Sequence, residues 1–144
     1  MPTSLNASFM GSPPKDAEYD HPEGRALARL VRQAVQQKGW VAGEPDNWRD
    51  VGWSVLCSRG SSRLECAISL VGGGKWILQV APNAVPGFLG RALGRNPSAS
   101  PAEVLELSKV VHGALQGGNA YSDFRWRWDG LPKSDSAHEP PQEA

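Results

Sequence analysis

The sequence predicts an α+β fold, a two-layer sandwich in which an antiparallel sheet carries two helices on one face. Three observations predict it. Two segments carry apolar residues at one-sided helical spacing, three consecutive central segments alternate with period 2, and a last aromatic segment alternates likewise. The resulting order is helix, three strands, helix, strand: a three-strand meander plus a C-terminal strand under a helical layer.

Residues 1–23 are rich in Ser, Pro, Asp and Gly and poor in aliphatics, so burial cannot offset the entropy of ordering them. They are expected to form a disordered acidic tail. Arg25 to Lys38 places Leu27, Leu30, Val31, Ala34 and Val35 on one stripe, and Gly39 stands where a C-terminal cap belongs. Trp40-Val41-Ala42 reads as a short strand and Gly43 to Asp50 as a polar loop.

Trp53 to Arg59, Leu64 to Val71 and Trp76 to Ala81 each alternate apolar and polar residues. A two-residue loop at Ser61-Ser62 would set Cys57 opposite Cys66, Val55 opposite Ile68 and Trp53 opposite Leu70. A turn centred on Gly73 sets Leu70 opposite Trp76, Ile68 opposite Leu78 and Cys66 opposite Val80. Both registers gather one apolar row on one face, which a one-residue slip would scatter. Ser-Ser is the weaker of the two turns, because the tightest hairpin loops favour φ > 0.

Pro82 ends the third strand, and Phe88 to Gly94 reads as a helical turn. Ser100-Pro101-Ala102-Glu103 opens the second helix with a cap, a proline in the first turn and a capping box. Val104, Leu107, Val111, Ala114 and Leu115 form its stripe, and Gly117-Gly118 stops it. Phe124-Arg125-Trp126-Arg127-Trp128 is a strand with three aromatics on one face and two arginines on the other, expected beside the meander. Residues 131–144 are again polar and acidic and are expected to be disordered, which leaves 24–130 as a single α+β domain.

Charge is unevenly placed. Residues 1–23 hold one basic against four acidic residues, 131–144 one against three, and 24–130 thirteen against eight. A mildly basic body between acidic ends favours an anionic partner or, more plainly, keeps the chain soluble. No signal-peptide pattern and no long apolar run appear. With two cysteines and no such leader, a reducing compartment and a cytoplasmic location are expected.

The chemical motifs are weak. Cys57 and Cys66 read as small buried hydrophobes, with a cross-strand disulfide as the rival; their spacing offers no metal ligand set. His112 flanks the apolar stripe of the second helix as a boundary residue, and a Cys–His enzyme would need an exposed thiolate beside it. Gly72-Gly73-Gly74-Lys75 is a hairpin turn and not a phosphate loop, because a strand and not a helix follows. Asp123 and Asp129, and the group Glu44, Asp46 and Asp50, have no neighbour to tune them for acid–base work. No catalytic, metal or cofactor residues are assigned.

Trp53, Trp76, Trp126 and Trp128 alternate in phase with aliphatics and belong under the helices. The opposite face then lacks a stacking platform, which disfavours nucleic acid. That open face carries the candidate binding residues Ser54, Leu56, Lys75, Gln79, Arg125 and Arg127: a floor of small residues with arginine at its rim, suited to a protein partner. The element order is similar to that of secretion chaperones, toxin-immunity proteins and double-stranded-RNA-binding domains, but none of their motifs is matched, and topology alone assigns no function. The leading expectation is a non-enzymatic, bacterial-style interaction module (adaptor, chaperone or immunity-like). The alternative is a small-molecule or anion-binding domain with a pocket between the sheet and Pro82–Pro97, and the third is a Cys/His enzyme.

Overall fold

The computed structural model describes residues 3–14, 16, 18, 21–83 and 99–143. Its elements in chain order are β1 (Leu5–Gly11), α1 (Arg25–Gln37), β2 (Val41–Ala42), β3 (Asp46–Trp48), β4 (Gly52–Arg59), β5 (Ser62–Gly72), β6 (Lys75–Pro82), α2 (Pro101–Gln116) and β7 (Tyr121–Trp128). The strands form one antiparallel sheet in the order β2-β4-β5-β6-β1-β7, with β3 also pairing β4. Both helices pack on one face, so the α+β sandwich stands.

β1 places Leu5–Gly11 in the sheet, where a disordered tail was expected. Leu5, Ala7 and Phe9 alternate with Asn6, Ser8 and Met10, and the three apolar side chains are fully buried on the helix side. β1 sets Leu5 opposite both Val80 and Trp128, and Ala7 opposite both Leu78 and Trp126. It therefore separates β7 from the meander, where direct pairing was expected. Phe9 stacks on Phe124 at 5.7 Å and meets Tyr121 edge-on at 5.5 Å. The Asp129 carboxylate fastens the strand's start: its Oδ1 accepts from Thr3 N at 2.7 Å, Ser4 N at 2.9 Å and the Thr3 hydroxyl at 2.9 Å. Those backbone donors hold the Asp129 carboxyl below its ordinary value of 3.8.

The meander forms as expected across its second turn, with Leu70 opposite Trp76, Ile68 opposite Leu78 and Cys66 opposite Val80. The first turn differs. Arg59 faces Ser62, so the loop is Gly60-Ser61, and Cys57 faces Leu64 while Cys66 faces Val55. Gly60 takes φ 61°, which suits the first central position of a tight hairpin better than any serine does. The expected partners were off by two residues, which preserves the face of every side chain. Gly52 is required by close approach, because a Cβ there would lie 1.9 Å from the Ile68 carbonyl oxygen.

Residues 46–48 of the expected polar loop form β3, closed onto β4 by Arg49 and Asp50 at φ 55° and 60°. α1 ends in paired bonds from Gly39 N to Gln36 O at 3.1 Å and from Trp40 N to Val35 O at 3.2 Å, the double closure that a left-handed glycine permits. Its Leu30 is 40% exposed, off the buried stripe of Leu27, Ala28, Val31 and Val35. α2 opens with the predicted reciprocal capping box of Ser100 and Glu103. The Ser62 hydroxyl bonds the same Glu103, tying the β4–β5 hairpin to the helix start.

The segment after β7 also departs from an expected disordered tail. It turns back along the outer edge of β7, where Ala137 pairs Trp126 and its carbonyl accepts from Trp126 N at 2.8 Å. Lys109 of α2 donates to Gln142 O at 3.1 Å. The expected turn at Phe88–Gly94 lies outside the described residues.

Replacing a fully buried phenylalanine by alanine costs about 3–5 kcal/mol. Phe9→Ala is therefore expected to lower the unfolding free energy by that amount in a urea titration; a loss below about 1 kcal/mol, typical of surface sites, would return β1 to a dispensable tail.

Candidate functional site

All six residues singled out in the sequence stand on the sheet face opposite the helices. Arg127, Gln79 and Ser54 lie in a single cross-strand row, joined through Asn6 of β1 and Ala67 of β5. Arg125 faces Ser8, and Lys75 faces Met10. Leu56 stands toward the far edge, opposite Glu65 and 48% exposed. Leu56, Lys75 and Arg127 are exposed, Gln79 and Arg125 half-buried, and Ser54 buried between larger neighbours.

The arginine rim is engaged by the chain itself. Arg125 pairs with Asp123 at 3.3 Å and its Nη1 lies 2.6 Å from His138 Nδ1. Arg127 donates to the Leu131 carbonyl at 3.2 Å. Neither stands as a bare rim residue, because the C-terminal segment lies against both.

Several residues of this face escaped the sequence reading. Asn6, Ser8 and Met10 arrive with β1. Asp46 and Trp48 arrive with β3, since Asp46 faces Ser54 and Trp48 faces Gly52. Val41 arrives opposite Ser58 and is 71% exposed. Their signal lay in period-2 alternation too short to rise above the surrounding polar residues. Trp48 is half-buried, with the Arg49 guanidinium 5.0 Å from its ring centre. One aromatic at an edge is not a base-stacking platform.

The helix side holds the thiols and the imidazole. Cys57 and Cys66 are buried and not joined in a disulfide, and the Cys57 thiol donates to the Val55 carbonyl at 3.9 Å. Burial pushes the Cys57 thiol up to about 12, and Cys66 is raised by burial and then by Cys57 and Glu65. His112 is buried, not a boundary residue: its Nδ1 accepts from Trp126 Nε1 at 3.1 Å and its ring meets Phe124 edge-on at 4.9 Å. Accepting at Nδ1 puts the neutral ring's proton on Nε2, which is buried with no partner among the described residues. His112 sits over β7, three strands from Cys66, or roughly 14 Å at ordinary strand spacing. No thiol–imidazole pair can form across that distance.

Among the described residues no group of three His, Cys, Asp or Glu side chains is placed to hold a metal ion. No helix among them is long and apolar enough to cross a membrane. No protein-family model matches the chain, and no curated protein is significantly similar to it.

Two measurements follow from this side of the sheet. A thiol reagent added to the native chain is expected to label neither cysteine until denaturant is present; prompt labelling of one would revive thiol chemistry. Burial lowers the His112 value below its ordinary 6.5. The unfolded chain then takes up the proton first, so the neutral ring's contribution is full above pH 6.5 and is lost as pH falls through the folded value. His112→Gln should flatten the fall in melting temperature below pH 6.5 relative to the unaltered chain; equal slopes would remove His112 as its source.

Proposed function

We propose that this chain is a non-enzymatic interaction module, of the adaptor, chaperone or immunity-protein kind, that receives an acidic face of another protein on the open side of its sheet. The observation that carries the reading is the make-up of that side. Among the described residues it presents Arg63, Lys75, Arg125, Arg127 and Lys133 against Glu65, Asp46 and Asp123, an excess of two positive charges. Half-exposed Leu56 and exposed Val41 supply apolar anchors beside a floor of Ser54, Ala67 and Ser69. Complementary charge steers such an encounter, and apolar anchors hold it. Inert thiols and a sequestered imidazole support the non-enzymatic part of the reading.

The test uses residues that no other part of the structure needs. Leu56→Ser and Arg63→Glu are both exposed substitutions and should shift stability by no more than about 0.5 kcal/mol. With a photo-crosslinker at position 79, a partner from the native source should attach to the unaltered chain and be lost from the double variant. A crosslinker at position 33, on the outer side of α1, should attach nothing. Capture that survives the double variant, or that occurs only at position 33, would overturn the proposal.

A further inference from the structure

A cavity of about 260 Å³ opens on the same sheet face, at the end where the C-terminal segment folds over it. Its floor is Ser8 and Met10 of β1, its walls are Lys75 of β6 with Asp123 and Arg125 of β7, and its roof is Pro132, Lys133 and Ser134. β1 lies between β6 and β7, and Lys75 and Arg125 face Met10 and Ser8, so they rise from backbones roughly 12 Å apart. Both side chains are long and flexible, so their charged ends can reach one small ligand above Ser8.

The charges are not balanced. Among the described residues, three cations line the cavity against one carboxylate, Asp123, and that carboxylate is paired with Arg125 at 3.3 Å. Lys75 and Lys133 have no ion pair among the described residues. His138, on the other side of Arg125, holds the guanidinium in place. An excess of two positive charges in a small polar cavity matches a dianion. A phosphate monoester is one near pH 7, because its second ionisation lies at about 6. Guanidinium and ammonium groups are also the side chains that bind phosphoryl oxygens best.

The geometry points to a phosphoryl-binding site formed by Lys75, Arg125 and Lys133, with the C-terminal segment as its roof. It shares Lys75 and Arg125 with the protein-capture reading, but its test reads phosphate binding by the isolated chain and so stands or falls without a partner protein. The source of the phosphoryl group is separated by the probes: inorganic phosphate for a free ion, and O-phosphoserine against serine for a monoester.

The experiment is a calorimetric titration of the full chain at fixed ionic strength, with a melting-temperature series beside it. Phosphate or O-phosphoserine should bind and raise the melting temperature where chloride and serine do not. Binding of O-phosphoserine should weaken below pH 6 as its dianion takes up a proton. Lys75→Gln with Lys133→Gln, both exposed, should weaken binding about tenfold to a hundredfold, the range of a charged hydrogen bond. Asp123→Asn should tighten it, by freeing Arg125 and removing the one carboxylate among the described lining residues. Asparagine tolerates the φ of 55° at that position, so the backbone need not change. No heat and no stabilisation beyond chloride, or an unchanged affinity in the lysine double variant, would overturn the site.

Discussion

The structure depends on one pairing, β1 between β6 and β7. Without it two strands of eight residues would each expose a row of unpaired backbone donors and acceptors, which no compact chain tolerates in its interior. With it, Leu5, Ala7 and Phe9 fill the middle of the apolar row under α2 and complete the sheet from Trp76 to Trp126. The pairing joins the first strand of the chain to the last, so the sheet closes only after nearly all of the sequence is present. The Asp129 carboxylate, held by Thr3 and Ser4, fixes where the two ends meet. The same pairing places Ser8 beside Arg125 and Met10 beside Lys75, so the charged cavity is a consequence of the fold's central constraint.

The two faces of the sheet divide the chemistry between them. The helix side takes Trp53, Trp76 and Trp126 with the thiols and His112, all in surroundings that keep ionisable groups neutral. The other side keeps short side chains at the centre and long charged ones toward β6 and β7. The thiols and the imidazole are thus sealed under the helices, while the open face keeps Lys75, Arg125 and Arg127 at its β6–β7 end.

How much of this could be read from the residues follows from what period-2 alternation can encode. It assigns each side chain to a face, and there every one of the six candidate residues fell correctly. Even the misplaced Ser-Ser turn left the faces intact, because its error was two residues. Alternation does not encode which strands are neighbours. Leu5, Ala7 and Phe9 are only three apolar residues in a stretch of Ser and Pro, and nothing local marks them as the partner of strands some 70 and 120 residues away. Burial of His112 was hidden for a similar reason: the indole that bonds its ring belongs to β7, which arrives over α2 through tertiary packing alone. The glycine signals were legible where the turn chemistry was unambiguous, as at Gly72-Gly73-Gly74, and misread at Gly60, where glycine and not serine takes the φ > 0 position.

The edges decide how this molecule can meet a partner. A free sheet edge would invite strand addition, in which backbone groups supply the affinity. The β7 edge is occupied at Trp126 by Ala137 of the chain's own C-terminal segment. The opposite edge is split into strands of two and three residues, with buried Pro45 between them. Short strands and proline are the devices that blunt an edge against further pairing. With both edges guarded in this way, strand addition is disfavoured on either side, which agrees with the proposed use of side chains on the open face.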